Sequence, residues 1–195
     1  MPLEFPGRDL LISTIDDAVA LGDSTAVVNR LCEAFQRMIR QGDVLLPPAL
    51  LAPVADHYAR RELYTSPEHG YSVIAMVWGP GQGTPLHDHS GLWCAEGIWQ
   101  GQLKVTQYAL AAQDGDRYRL LAEPPVVEDT GSTGYLIPPH EYHVIENPSP
   151  DKVAVSLHVY GSHMDRCSIF LPEDDGDGWY RRSERLLDTD ALDQP

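Results

Sequence analysis

The chain has 195 residues and a formal net charge of −15 at pH 7, a length that suits one domain with a substantial core. Nucleic acid and anionic membranes are disfavoured as partners, because both are bound through basic surfaces. No apolar run could cross a bilayer, no secretory signal opens the chain, and three cysteines give no disulfide framework. We therefore expect a reduced, cytoplasmic protein that needs a local positive charge to bind any anionic substrate.

Residues 1–50 predict a helical N-terminal segment. From Asp23 to Gln41, apolar residues recur at spacings of three and four, which is typical of a helix with one buried face. Asp23 or Ser24 can cap its start, and Gly42 follows its last turn as a stop signal. The Pro-Pro pair a few residues later cannot continue it.

From Tyr71 onward the hydrophobic period changes to two, as in strands. Runs such as "YSVIAMVW", "GIWQGQLKVTQYAL" and "KVAVSLHVYG" are rich in β-branched and aromatic residues, with turn residues between them. Short strands without intervening helices predict a closed or sandwiched antiparallel sheet. Residues 171–195 predict an acidic tail that covers the sheet in part and ends in a solvated segment. We expect residues 1–195 to form a single domain.

The stretch "PLHDHSGLWC" places two histidines one residue apart. Side chains alternate along a strand, so His87 and His89 point the same way and Asp88 points the opposite way. Two imidazoles on one face can bind one metal ion, whereas the alternative is a pair of surface histidines in a polar turn. Downstream, "PPHEYHVIEN" offers two more histidines, His140 and His143, and the second is followed by an asparagine four residues later.

A glycine, a His-X-His pair, a second glycine and a later Pro…His…Asn resemble the two sequence motifs of the cupin barrels. The resemblance implies a mainly β fold, a cupin-type antiparallel β-barrel (jelly roll) behind the helical segment. Cys94 occupies the position where the general cupin pattern has a glutamate ligand, and Glu96 lies two residues too late. His140 is an alternative third ligand, but it stands where the motif usually has glycine. The implied metal ligands are His87, His89 and His143.

The stretch "VAVSLHVYG" separates two kinds of side chain. One face of the predicted strand carries only apolar residues, while Ser156, His158 and Tyr160 share the other face. A polar row can face water on an open sheet surface, as antiparallel sheets permit. It can also reach into an internal site, and the residues alone leave both interpretations open.

Together, "HDHSGLWC", "HVIEN" and "AVSLHVYGSHMDRC" resemble the thiol dioxygenases, particularly the cysteine dioxygenase type I family, over residues 58–170. The resemblance implies Fe(II) held by the three histidines, with Ser156, His158 and Tyr160 as a relay in the same cavity. Cys94 matches the cysteine that forms a thioether to the active-site tyrosine in animal members, whereas many bacterial members have glycine there. From the residues alone, Cys94 could equally be a small buried apolar side chain.

The stretch "HYARREL" can be laid against the family's Tyr-X-Arg, which implies Tyr58 and Arg60 as substrate-binding residues. An arginine pairs with a carboxylate through a planar fork of donors. Related 3-mercaptopropionate dioxygenases tend to have glutamine there, so Arg60 favours cysteine as substrate. The alignment is gapped, and therefore Arg61 or Arg166 are alternatives, as is a merely solvated arginine at a helix end.

Three histidines on one side of an octahedral ion leave room for a sulfur, an amine and O₂, and iron, unlike zinc, exchanges electrons with O₂. The activity that the resemblance implies is the Fe(II)-dependent conversion of L-cysteine and O₂ to cysteine sulfinate. We expect a monomer, because no further apolar stripe demands a partner. One alternative has 3-mercaptopropionate or another small thiol carboxylate as substrate. Others are a non-catalytic metal- or ligand-binding cupin, and a cupin isomerase or hydrolase using Mn or Zn, which the missing carboxylate ligand disfavours.

Overall fold

The computed structural model describes residues 3–173 and 177–191. Two helices come first, α1 (Arg8–Val19) and α2 (Ser24–Gln41), and a 3-10 turn follows at Pro48–Leu50. The strands are β1 (Ala59–Thr65), β2 (Ser72–Trp78), β3 (Cys94–Gln100), β4 (Gln102–Asp114), β5 (Arg117–Ala122), β6 (Val126–Asp129), β7 (Thr133–Leu136), β8 (Tyr142–Glu146), β9 (Ala154–Tyr160), β10 (Arg166–Pro172) and β11 (Trp179–Leu186).

Helix α2 begins and ends where its capping residues predict. The Asp23 carboxylate accepts a hydrogen bond from the Ala26 backbone N–H at 2.9 Å, which satisfies one free donor of the first turn. Gly42 ends the helix in the left-handed region at φ 69°, where a side chain would be strained. Neither α2 nor any other helix in the described ranges combines the length and the apolar character that a bilayer span requires.

The strands form two antiparallel sheets that face each other, as expected for a jelly roll. The first sheet has the order β1-β2-β9-β3-β7, and the second has the order β10-β11-β5-β4-β6 with β8 beside β4. The sheets stay separate over the described residues, so the fold is a sandwich and not a barrel closed by hydrogen bonds. The helices pack on the outer face of the first sheet, where Leu157 and Val159 join their apolar cluster.

Strand β9 has a buried row on each face. Leu157 faces the helices, while Ser156, His158 and Tyr160 face the space between the two sheets. Each of these three polar residues is only 2% exposed. The interpretation in which this row faces water is therefore wrong, because the second sheet covers it.

The C-terminal segment contributes a strand that composition did not predict. Within the stretch expected to be an acidic tail, seven of the eight residues of β11 pair with β10, and its first three residues pair with β5. Its side chains are mostly exposed and polar, so its sequence lacks the apolar alternation that marks a half-buried strand. Residues 192–195, where the solvated end was predicted, lie outside the described residues.

Candidate metal centre and substrate pocket

His87 and His89 lie between β2 and β3, in an extended segment with backbone partners on both sides. The N–H of His87 donates to the His143 carbonyl at 3.2 Å, and the N–H of His143 donates back at 3.2 Å. On the other side, the Asp88 N–H donates to the Ser168 carbonyl at 3.0 Å. This strand-like backbone makes the side chains alternate, so the two imidazoles share one side.

The three histidines predicted as ligands converge between the sheets. One nitrogen of each imidazole lies within 4.8 Å of a nitrogen of the other two. His87 Nδ1 lies 3.0 Å from the Pro85 carbonyl, and a proton shared there leaves Nε2 with its lone pair. Nδ1 of His89 and both ring nitrogens of His143 are buried without a hydrogen-bond partner among the described residues. Because buried polar atoms are almost always partnered, an ion bound to one nitrogen of each ring fits this arrangement.

The protonation state of this tripod, His87, His89 and His143, also suits a metal. Burial lowers the pKa of His87. Burial also lowers the pKa of His89 and of His143 well below the usual value, and the neighbouring imidazoles lower these two further. All three are therefore neutral at pH 7 and have a lone pair to donate. Three neutral ligands leave the charge of a divalent ion uncompensated, which favours an anionic thiolate as a further ligand.

The structure brings His143 to the tripod and leaves His140 outside it. His143 is 1% exposed on β8, whereas His140 is exposed in the turn before that strand. Asn147, which completes the motif spacing, has a structural role. Its amide nitrogen lies 2.9 Å from the Trp78 carbonyl and 2.7 Å from the Lys152 carbonyl, which fixes the chain after β8.

Cys94 and Tyr160 face each other across β3 and β9, where they form a cross-strand pair. Cys94 is 0% exposed and Tyr160 is 2% exposed, and the tyrosine ring lies 5.7 Å from that of His89, centroid to centroid. Burial raises the pKa of the Cys94 thiol and of the Tyr160 hydroxyl well above their usual values. Both groups therefore keep their protons at neutral pH.

His158 is held between Ser156 and Glu96. Its Nε2 lies 2.8 Å from Ser156 Oγ, which accepts a hydrogen bond from Trp78 Nε1 at 3.0 Å. Its Nδ1 lies 3.2 Å from a Glu96 carboxylate oxygen. Both ring nitrogens thus face partners other than the Tyr160 hydroxyl, and the two rings lie nearly parallel at 14° with centroids 6.1 Å apart. The polar row lies in the cavity, but its hydrogen bond joins Ser156 to His158 and does not extend to the Tyr160 hydroxyl.

Arg60 and Tyr58 lie in the same pocket as the tripod, which encloses about 20 Å³ of free space, room for about one water molecule. Arg60 is on β1 and only 5% exposed, so the interpretation as a solvated helix-end arginine is wrong. Its guanidinium donates to the carbonyls of Asp188 at 3.2 Å and Met164 at 3.5 Å. Tyr58 stacks on Trp78 with ring centroids 4.7 Å apart.

The two alternative arginines lie elsewhere. Arg61 points to the opposite face of β1, where Nη1 donates to the Leu50 carbonyl at 2.8 Å. Arg166 is exposed and forms an ion pair with the adjacent Asp165 at 3.1 Å. Of these three candidates, Arg60 is the one that lines the tripod pocket.

Arg185 is a pocket residue that sequence patterns did not identify. It lies on β11 opposite Cys167 and lines the pocket together with Arg60. Asp190, which follows β11, also holds Arg60 in place. Its carboxylate accepts a hydrogen bond from the Arg60 backbone N–H at 2.8 Å. The two arginines supply the local positive charge that an anionic substrate needs in a protein of net charge −15.

Two buried carboxylates that the patterns also missed shape the histidine segment. The Asp88 carboxylate accepts from the N–H groups of Ser168 at 2.8 Å and Ser90 at 3.1 Å. Glu141 accepts from the His89 N–H at 2.9 Å. These bonds fix the backbone on both sides of His89. The bonds from Ser168 and His89 join residues that are far apart in the chain, so sequence patterns give no sign of them.

The pocket has room for about one water molecule, so its lining side chains would have to move apart to admit a larger anionic ligand that bridges Arg60 and a bound ion. The tripod would hold an ion from one side, and the pocket with Arg60 and Tyr160 lies on the open side. One small molecule could then place its carboxylate on the Arg60 guanidinium and its sulfur or nitrogen on the ion.

Residues 53–172 of the chain match the family model of cysteine dioxygenase type I. The human protein named cysteine dioxygenase type 1 is 28% identical over 122 residues, which cover 63% of this chain and 60% of that protein. The Danio rerio protein of the same name is 30% identical over 103 residues, 51% of this chain and 49% of that protein. The chain thus spans about half to three fifths of the length of these relatives.

Among solved structures, a cupin 2 domain-containing protein from Halorhodospira halophila is 20% identical with a TM-score of 0.43, covering 64% of this chain and 76% of that one. A protein with a double-stranded β-helix domain from Klebsiella pneumoniae is 14% identical with a TM-score of 0.44, covering 59% of this chain and 82% of that one.

Proposed function

Because the chain belongs to the cysteine dioxygenase type I family, we propose that it is an Fe(II)-dependent dioxygenase that converts L-cysteine and O₂ to cysteine sulfinate. The observation that carries this proposal is the placement of three converging imidazoles, Arg60 and Tyr160 in one pocket. In the reaction both atoms of O₂ end on the substrate sulfur, so no external reductant is needed.

His87, His89 and His143 would hold the iron. Bound iron would bring the substrate thiolate and O₂ side by side and exchange electrons with O₂, which is the chemistry that the side chains themselves lack. The ligand set supports Fe(II) over a closed zinc site, because three protein ligands leave positions open for substrate.

Arg60 would bind the substrate carboxylate. Its guanidinium is buried and held in place by two backbone carbonyls, so it can present its remaining N–H groups in a fixed orientation. A carboxylate fixed there directs the thiol towards the tripod. Arg185 adds a second positive charge to the same pocket and would strengthen the attraction of the anion.

Tyr160 would donate a hydrogen bond to the oxygen that is transferred to sulfur. Its raised pKa keeps the phenol protonated, and its packing beside His89 places the ring next to the tripod. Ser156 and His158 would position this ring from the other side, since His158 lies parallel to it and is itself fixed by Ser156.

Cys94 would modify Tyr160 through a thioether between Sγ and the ring carbon next to the hydroxyl-bearing carbon. The cross-strand pairing of the two residues supports this bond. Its formation removes the thiol hydrogen and one ring hydrogen, and O₂ takes up the two electrons and two protons to give H₂O₂. The product is a phenol that can no longer rotate freely.

We also propose that the protein acts as a monomer in the cytoplasm, with a small thiol and O₂ as its partners and without nucleic acid or membrane. The acidic charge supports the exclusion of polyanionic partners. Cys32, Cys94 and Cys167 are all free thiols, which supports a reducing compartment.

Oxygen uptake tests the proposed reaction. Protein reconstituted anaerobically with Fe(II) is offered L-cysteine and 3-mercaptopropionate in parallel, and the products are identified by mass. One O₂ consumed per cysteine, sulfinate as product and a preference for cysteine are the expected results. A preference for 3-mercaptopropionate would contradict the role of Arg60 in substrate choice, and no uptake with either thiol would favour a non-catalytic cupin.

A further inference from the structure

A second group of metal-ligating side chains lies next to Tyr160, outside the tripod. It consists of Cys94 and Glu96 on β3 and His158 on β9. His158 Nδ1 lies 3.2 Å from Glu96 Oε2 and 3.9 Å from Cys94 Sγ, and all three donor atoms lie within 4.8 Å of one another. A thiol, a carboxylate and an imidazole therefore meet at one point.

Strand geometry makes these side chains converge. Cys94 and Glu96 are two residues apart on β3, so they share a face. The register of the ladder then places His158 directly opposite Glu96. Both strands lie inside the five-stranded sheet, so the donors sit on a rigid framework that needs no loop closure.

The two donor separations measured from His158 Nδ1 fit a tetrahedral ion. Zinc bonds of about 2.0–2.1 Å to nitrogen, 2.0–2.2 Å to oxygen and 2.3 Å to sulfur imply separations of roughly 3.3 Å from nitrogen to oxygen and 3.6 Å from nitrogen to sulfur. The observed separations at His158 Nδ1, 3.2 Å to oxygen and 3.9 Å to sulfur, are within a few tenths of an ångström of these values.

The contact between Glu96 and His158 is better suited to a cation than to a shared proton. Glu96 Oε2 is buried and makes no hydrogen bond within the described chain, although His158 Nδ1 is only 3.2 Å away, because the two atoms are not aligned for one. A proton on Nε2 would instead be donated to Ser156 Oγ at 2.8 Å. That tautomer leaves the Nδ1 lone pair to accept a hydrogen bond from the Cys94 thiol at 3.9 Å, and an ion bound there would replace the thiol proton, as in metal-bound histidines whose other nitrogen has a fixed partner.

An ion can approach this group from the larger cavity of the protein. That cavity has a volume of about 300 Å³, reaches Glu96 and Ser156, and is lined further out by the carboxylates of Glu123 and Glu128. Carboxylates along an opening raise the local concentration of cations. Of the three donors, Glu96 is the one that lines this cavity, which has room for water beside it.

We propose that Cys94, Glu96 and His158 form a second metal site, which binds a divalent ion of the zinc type. Thiolate and imidazole ligands select such ions over Mg²⁺ and Ca²⁺, which prefer oxygen. Binding releases the Cys94 proton and occupies its sulfur, so the ion and the thioether to Tyr160 exclude each other. The site stands whether or not the tripod holds iron.

Cobalt(II) tests the site, because a cysteine thiolate bound to Co²⁺ gives a charge-transfer band in the near ultraviolet. The Tyr160→Phe protein is used, since it cannot form the thioether and keeps the Cys94 thiol. Its tripod is first loaded with one equivalent of Fe(II) under anaerobic conditions, and Co²⁺ is then titrated. The tripod contains no sulfur, so cobalt bound there does not contribute to this band.

We expect the band in Tyr160→Phe, its displacement by Zn²⁺, and its loss when Cys94→Ala is added. Glu96→Gln, which keeps the size of the side chain, should weaken Co²⁺ binding by at least about tenfold. Cys32→Ala and Cys167→Ala are matched controls that should retain the band. Absence of the band in Tyr160→Phe, or its persistence in Cys94→Ala, would overturn the proposal.

Discussion

Cys94 and Tyr160 are direct neighbours across the central strands of the first sheet, and both are almost completely buried. The antiparallel ladder fixes this pairing, because a slip of one residue would turn one of the two side chains to the opposite face. A pair so constrained can react only with itself or with a small species that enters the site.

This pairing predicts a change of mass. After aerobic incubation with Fe(II) and cysteine, intact-mass analysis of the wild-type protein should show the loss of two hydrogens. Cys94→Ala and Tyr160→Phe should show no such loss, because each lacks one half of the bond, whereas Cys167→Ala should behave as wild type. An unchanged wild-type mass would contradict the thioether.

The tripod predicts unequal effects for two neighbouring histidines. His143→Ala removes a ligand and should lower Fe(II) affinity by at least about tenfold, since even residues that merely orient a ligand are worth that much. His140→Ala should leave the affinity unchanged, because this side chain is exposed outside the site. Iron content after desalting, measured at a series of Fe(II) concentrations, distinguishes the two. Equal losses would contradict the assignment of His143.

The position of Arg60 predicts a defect in substrate binding. Arg60→Gln removes a charged hydrogen bond to the carboxylate, worth about 1.5–3 kcal/mol, and should lower kcat/KM for cysteine by roughly tenfold to a hundredfold, mainly through KM. Arg166→Gln is the matched control, because Arg166 is exposed and paired with Asp165. Steady-state oxygen uptake measures both. An unchanged KM in Arg60→Gln would refute the role.

Two thiols should react slowly at ordinary pH. Burial raises the pKa of Cys32 and of Cys167 from 9.0 to about 11. The thiolate is the reactive form, so at pH 8 each should be alkylated by iodoacetamide about a hundredfold more slowly than in the unfolded chain, with the rate rising as the pH approaches 11. Peptide mass spectrometry gives the rate for each cysteine. Equal rates in folded and unfolded protein would contradict the shift.

The apolar face of β9 should determine stability. Leu157 is 0% exposed against the helices, and Leu157→Ala should lower the free energy of unfolding by about 2–5 kcal/mol. Leu186→Ala is the control, since Leu186 is 68% exposed and should change it by less than about 0.5 kcal/mol. Urea unfolding of both variants tests this contrast, and similar midpoints would count against it.

Features that depend on neighbouring residues could be predicted from the sequence. The caps of α2, the alternation along β9 and the shared side of His87 and His89 all follow from local periodicity. The choice of His143 over His140 rested on motif spacing, and the structure places these two histidines as that spacing predicts.

Features that depend on which strands become neighbours could not be predicted. Arg60 and Arg61 are adjacent, and only the burial of each face of β1 decides which one lines the pocket. Arg185 lies on a strand without apolar alternation, and Glu96 meets His158 only through the register of β3 with β9. Such contacts join residues far apart in the chain, so no local pattern reveals them.

The attachment of Asp188 and Asp190 to Arg60 has a consequence for truncation of the chain. Both aspartates follow β11, whereas Glu141 and Ser168, which hold the tripod segment, precede it. Removing the residues after β11 would therefore release Arg60 from both aspartates and leave the bonds of the tripod segment in place. The anchoring of the substrate-binding side chain is thus separable from the assembly of the metal ligands.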